Sequence, residues 1–185
     1  MPDRLPPPQH IALGLSLLDE AKQGWWHEVT RRMRSGEDVQ VRDPGGIGLL
    51  HLASRAGRRR LVEELMSLGA APNARDARGR TPLLYCAESG SPEVAETLAA
   101  TAKPSEAAGG SDDPFDVNAQ DDTGATALAI AARHGHLRLV RWLLARRDLQ
   151  PNTRDHYGVS ALHKCVHTPR ATRPGSTACG SHSCL

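Results

Sequence analysis

The sequence predicts an all-α solenoid: short helix-turn-helix units joined by hairpin-like loops and stacked in single file. Three observations carry the prediction. Gly24, Gly57 and Gly90 stand 33 residues apart, and Gly46 and Gly79 repeat the interval. The stretches DPGGIGLLHLASRAG (43–57), DARGRTPLLYCAESG (76–90), DDTGATALAIAARHG (121–135) and DHYGVSALH (155–163) align in content as well as in spacing. Aromatic residues make up only 3% of the 185, so the core must be built from Leu, Ala and Val, which suits closely stacked short helices better than a sandwich or barrel.

Each element follows in order. Residues 1–10 are proline-rich and expected to be disordered. The run 11–18 (IALGLSLL) has a faint signal-peptide outline, but Asp19, Glu20 and a helical pattern follow it where a cleavage site would stand, so a capping helix is the better reading. The array spans 11–168, with units at about 15–42, 43–75, 76–102 and 121–154, and a partial one at 155–168. The first keeps Ala21, Gly24, Val29, Met33 and Gly36 in phase but has a degenerate start, as terminal repeats commonly do. Trp25 and Trp26 sit at its inter-helix turn, where they either cover the end of the stack or anchor a partner. The second carries Gly48 and Leu49 where Thr and Pro stand in the third, and its helix start is expected to fray.

The third unit is the most regular. Thr81 caps a helix that Pro82 begins, and proline at the first helical position loses no hydrogen bond. Gly90 ends that helix, and a second follows over 92–101. KPSEAAGGSDDP (103–114) has no apolar period and is an inserted loop; it accounts for the lengthened interval of 45 residues from Gly90 to Gly135. In the fourth unit Thr126 repeats the cap, and a second helix is expected over 136–145 with Leu137, Val140, Leu143 and Leu144 facing the stack and Arg138, Arg141, Arg146 and Arg147 facing water. Ser160 and Ala161 open the first helix of the partial fifth unit, but Pro169 stands where its closing glycine is due. The tail 169–185 is expected to be disordered. Either a longer array has been truncated or alternatively ended here, or the tail folds back as an irregular cap. None of these helices exceeds the ~12–15 residues needed for marginal stability alone, so neighbouring units must supply the contacts, through close approach at Ala53, Ala87 and Ala132.

The pattern D-x-x-G-x-T-P-L-x-x-x-A-x-x-G at this period resembles the ankyrin repeat, over roughly 20–168. The resemblance implies that His51 and His163 are structural hydrogen-bonding groups and that Gly135-His136 is a helix junction rather than a metal site. It also implies a partner-binding surface on the loop tips and the exposed side of each first helix. By position these are Arg78, Arg80, Asp122, Thr123, His156 and Tyr157 at the tips, and Leu52, Arg55, Tyr85, Glu88, Ile130 and Arg133 on the helices. The loops around Asn73 and Asn152 resemble substrates of an asparaginyl hydroxylase.

Chemistry is otherwise sparse. Asp43, Asp76, Asp121 and Asp155 recur once per unit at one turn, which spreads them along the array, whereas acid–base catalysis needs carboxylates that converge. No nucleophile elbow, phosphate loop or HExxH occurs, so no enzyme and no cofactor are expected. Cys165, His167, Cys179, His182 and Cys184 match no familiar zinc spacing, and no metal is expected. Cys86 and these three cysteines are too few for a disulfide scaffold, which points to a reducing, cytoplasmic or nuclear compartment. The net charge of +2 argues against a dedicated nucleic-acid surface, although Arg55, Arg58, Arg59 and Arg60 cluster beside Glu63 and Glu64. No apolar run reaches the ~20 residues of a membrane span. The expected function is non-enzymatic protein–protein interaction, as an adaptor or scaffold, with the chain a monomer or part of a longer array. The alternatives are a regulator or inhibitor of a nuclear or signalling factor and, behind it, nucleic-acid or nucleotide binding through arginine.

Overall fold

The computed structural model describes residues 16–101 and 115–161. The proline-rich start, the inserted loop, His163, Cys165, His167, Cys179, His182, Cys184 and the tail therefore lie outside the described residues, as do all but the last three residues of the run 11–18.

Eight helices occur among the described residues, two to a unit: α1 (Leu17–Gln23), α2 (Trp26–Arg34), α3 (Leu49–Arg55), α4 (Arg59–Ser67), α5 (Pro82–Ser89), α6 (Pro92–Thr101), α7 (Ala127–Arg133) and α8 (Leu137–Leu144). First helices pack on first helices, α1 on α3 on α5 on α7, and second helices on second helices, α4 on α6 on α8. One continuous core runs through the stack, built from Leu, Ala and Val as composition requires. Ala53 and Ala87 are fully buried in it and Ala132 nearly so.

Ser16 caps α1: its Oγ accepts from the Asp19 N–H at 3.2 Å while Asp19 Oδ2 accepts from the Ser16 N–H at 3.2 Å. Thr126 Oγ1 accepts from the Ala129 N–H at 3.3 Å. Thr81 departs from expectation. It holds the N-cap position with Pro82 at the first helical residue, but its buried Oγ1 makes no hydrogen bond. Position alone, with Pro82 removing one donor, starts α5. The start of α3, where Thr and Pro are absent, is held by a side chain from within the helix. His51 Nδ1, at the third helical position, accepts from the Gly48 N–H at 3.1 Å, the return half of a capping box, and Leu49 is buried.

The hairpin-like loops contain isolated antiparallel bridges, Arg42–Gly48, Gln120–Thr126 and Arg154–Ser160, rather than strands. Their tips are stitched together by backbone bonds: Ala77 N–H to Gly45 O (2.8 Å), Asp122 N–H to Arg78 O (2.9 Å) and His156 N–H to Thr123 O (3.0 Å). Gly124 shows why glycine recurs here. Its φ is +77°, and a Cβ would lie 2.9 Å from Asp155 Cα and from His156 N, so both conformation and the next tip exclude a side chain.

The structure corrects the expected face of α8. Leu139 and Leu143 are fully buried, whereas Leu137 is 67% and Leu144 55% exposed and Val140 is half-buried. Arg146 is likewise not simply solvated; its guanidinium lies 5.6 Å from the Phe115 ring and 5.4 Å from that of Trp142. Phe115, the chain's single phenylalanine, is buried where the described chain resumes and leads into buried Val117.

Candidate functional site

The backbone ladder along the tips brings equivalent positions of successive units side by side. Asp122 and His156 occupy the first tip position of their loops, and Arg78, Thr123 and Tyr157 the second. All five are exposed, Tyr157 by 82%. Each loop is shaped by its own aspartate. Asp76 Oδ1 accepts from the Arg78 and Arg80 N–H groups, Asp121 Oδ1 from Thr123 and Ala125, and Asp155 Oδ1 from Tyr157 and Val159, all at 2.8–3.0 Å. Asp43 Oδ1 accepts from Ile47 in the same manner. The four carboxylates are thus engaged locally, one to a turn, and do not gather round a cavity.

On the first helices Arg55, Glu88 and Arg133 share one position, with Arg55 and Arg133 exposed and Glu88 half-buried. Leu52, Tyr85 and Ile130 are different. At 3%, 1% and 4% exposure they belong to the stack and present no side chain to a partner. The helix face that sequence reasoning took as open is closed there by neighbouring first helices, which pack tightly through their small residues.

Tyr85 is the centre of a polar lock. Its hydroxyl donates to Asp76 Oδ2 at 2.7 Å and accepts from Arg80 Nη2 at 2.6 Å, while Arg80 Nη1 reaches Glu88 Oε1 at 2.9 Å. The Arg80 guanidinium lies 4.2 Å over the Tyr85 ring. Burial, reinforced by the bond to the Asp76 carboxylate, pushes the tyrosine hydroxyl up to about 12. Burial by itself would raise the Asp76 carboxyl, but the Tyr85 hydroxyl and the Arg80 and Arg78 amides hold it below its ordinary value. Arg80 is consequently committed to the fold and only a fringe of it faces solvent.

His51 performs the corresponding task in the second unit. Its Nε2 lies 2.9 Å from Ala74 O, tying α3 to the next loop, and burial lowers its pKa. His136 Nε2 lies 3.0 Å from Glu88 O, so the histidine after Gly135 reaches back to the preceding unit, and His134 stacks on it. Among the described residues no group of three or more His, Cys, Asp or Glu could hold a metal. Cys86 is packed in the core, where burial pushes its thiol up to about 12.

A recess of about 250 Å³ opens between the C-terminal ends of α1 and α3, lined by Ala21, Lys22, Gln23, Gly24, Trp26, Leu52, Arg55 and Ala56. Arg58 stands 6.0 Å from the Trp26 ring, and Lys22 pairs with Asp43 at 2.9 Å. Sequence reasoning did not find Lys22, because its approach to Arg55 comes only from stacking two units. Trp26 packs against the core and also lines this recess; Trp25, half-buried, is the N-cap of α2. In the arginine cluster all four side chains are exposed; Arg59 pairs with Glu63 at 2.9 Å and Arg58 faces Trp26. Asn73 is half-buried, and its Oδ1 accepts from the Asp116 N–H at 3.0 Å; Asn152 is exposed. No helix among the described residues is long and apolar enough to cross a membrane.

Comparison with known proteins accords with this architecture. A family model for ankyrin repeats (3 copies) matches residues 20–108, and another for ankyrin repeats (many copies) matches 111–165. The chain is 28% identical over 144 residues to NF-kappa-B inhibitor zeta of Bos taurus, covering 78% of this chain and 18% of that protein. It is 28% identical over 141 residues to SH3 and multiple ankyrin repeat domains protein 2 of Homo sapiens, covering 75% of this chain and 7% of that one. A shorter match, 45% over 53 residues, is to the ADP-ribosylation factor GTPase-activating protein AGD4 of Arabidopsis thaliana, 29% of this chain and 7% of that protein. The chain therefore spans less than a fifth of the length of these relatives.

Proposed function

From the premise that the chain belongs to the ankyrin-repeat family, whose repeats serve protein–protein interaction, we propose that it is a non-enzymatic adaptor or scaffold binding a protein partner along its inner, concave face. That face comprises Arg78, Asp122, Thr123, His156 and Tyr157 on the tips, and Arg55, Glu88 and Arg133 with the recess beside Trp26. The observation that carries the reading is the backbone ladder, which arranges exposed side chains from successive units into one row on a rigid support. Glu88 is neutralised by Arg80, whereas Arg55 and Arg133 have no carboxylate partner among the described residues, so an acidic segment is the fitting occupant.

The test is affinity capture with the full chain, then binding of the captured protein to Arg55→Ala, Arg133→Ala and Tyr157→Ala. Each should weaken binding with an unchanged thermal melt, and undiminished affinity in all three would overturn the proposal. Tyr85→Ala and Arg80→Ala are unsuitable probes because they break the buried lock.

A second reading, a regulator or inhibitor of a nuclear or signalling factor acting in the cytoplasm or nucleus, is favoured by the likeness to the proteins named NF-kappa-B inhibitor zeta. NF-kappa-B subunits among the captured proteins support it; their absence from nuclear and cytoplasmic extracts counts against it. Hydroxylation is proposed for exposed Asn152 before Asn73, whose side chain is held across units; mass spectrometry after treatment with an asparaginyl hydroxylase would find added oxygen there first.

A further inference from the structure

Within the stack, a second helix is covered on its far side by the next second helix. α4 lies against α6, Val62 is fully buried, and Met66 packs against the core. The equivalent residues on α8 are Val140 and Leu144, and no described helix lies beyond them. Leu137, Val140 and Leu144 form a stripe at helical spacing; Leu137 and Leu144 are more than half exposed, while Val140 is half-buried and packs against the core. Arg141 lies on the same face, exposed and without a carboxylate partner among the described residues. Residues 137–147 hold four arginines and no acidic residue; of these Arg138 pairs with Glu93 and Arg146 with Asp148.

We infer that this outward face of α8 is a docking site for an acidic amphipathic helix of a protein partner, separate from the concave face. Two observations choose the occupant. The first is the internal precedent. On its inner side α8 already receives α6, whose only charged residues are Glu93 and Glu96, and Arg138 Nη2 meets Glu93 Oε1 at 3.1 Å. At the other end of the stack Arg34 of α2 takes Glu64 of α4 at 2.6 Å. The α6–α8 contact thus joins packed helices with an arginine–glutamate pair beside them.

The second is charge. Another copy of this face would set arginine against arginine. Residues 162–185 contain no Asp or Glu and so offer these arginines no carboxylate side chain. An anionic membrane would attract the arginines, but Leu139 and Leu143 are spent on the core, and Leu137 and Leu144 alone offer little to insert.

The experiment uses the full chain and a labelled acidic helical peptide of roughly 20 residues, long enough to sustain a helix, with Glu flanking a Val/Ala/Leu stripe in the register of α6. Saturable binding is expected, and a version with Lys for Glu should not bind. Leu144→Asp and Arg141→Glu should each weaken it about tenfold or more, ~1.4 kcal/mol for each factor of ten. Arg55→Ala and Arg133→Ala should leave it unchanged, which separates this site from the concave one. Leu137→Gln serves as a milder second variant should Leu144→Asp lower the melting temperature. Failure of the acidic peptide to saturate, or binding indifferent to all three α8 variants, overturns the inference. So does tighter binding to phosphatidylserine vesicles than to the peptide, or dimerisation of the chain that Leu144→Asp abolishes.

Discussion

The unit holding α3 and α4 and the unit holding α7 and α8 share a pattern and differ in what lies beside them. Leu65 and Leu143 occupy the same place and are both fully buried, because their own unit's first helix supports them. Val62 and Val140 also correspond, yet one is fully buried and the other only half-buried. The glycines tell the same story. Gly90 and Gly135 both have positive φ, but a Cβ on Gly90 would fall 2.4 Å from the His136 ring, and one on Gly135 would meet nothing. Local conformation is repeated faithfully along the array, whereas burial depends on the neighbour.

Four measurements would break or sharpen that contrast. The largest effect is expected from Leu65→Ala against Leu144→Ala in urea unfolding. The first should lose about 2–5 kcal/mol through cavity formation and the second less than ~1 kcal/mol. Equal losses would mean that this face of α8 is as covered as the core beneath α4. Next come the glycines. Gly135→Ala should cost ~1–2 kcal/mol of backbone strain alone, and Gly90→Ala more, because it also displaces His136 from Glu88 O.

The third concerns pH. Burial lowers the His51 pKa from its ordinary 6.5, so the unfolded chain takes the proton more readily. The stability it contributes is full above pH 6.5 and declines as pH falls from there toward the folded-state value. His51→Leu, copying Leu84 of the next unit, should remove that part of the slope in melts between pH 7 and 5; an unchanged slope would remove His51 from the account. The smallest effect is expected from Arg34→Ala at the exposed Arg34–Glu64 pair, ~0–1 kcal/mol and fading in salt, by the same unfolding assay.

Much of this was legible in the residues. The helices over 92–101 and near 136–145 and the turn aspartates follow from period and turn chemistry, which act within a few residues; the structural role of His51 and the exposed loop tips are what the resemblance to the ankyrin repeat implied. Three things were not. Tyr85 reads as a free aromatic on a first helix, and only the fold shows Asp76 and Arg80 closing on its hydroxyl from a loop. Leu137 and Leu144 fit the apolar period yet face outward, because a periodicity names a stripe and not what covers it. The recess beside Trp26 joins Lys22 to Arg55 across a unit boundary, a relation that spacing along the chain does not express.

The sequence by itself determined the repeat, its turns, the helix boundaries and the family, since each depends on short-range geometry that glycine, proline and aspartate dictate. Tertiary structure alone decided which apolar residues are core and which are surface, and which charges remain free. Those depend on the approach of neighbouring units, and in a single-file stack the same residue is interior or exterior according to whether another helix stands beyond it.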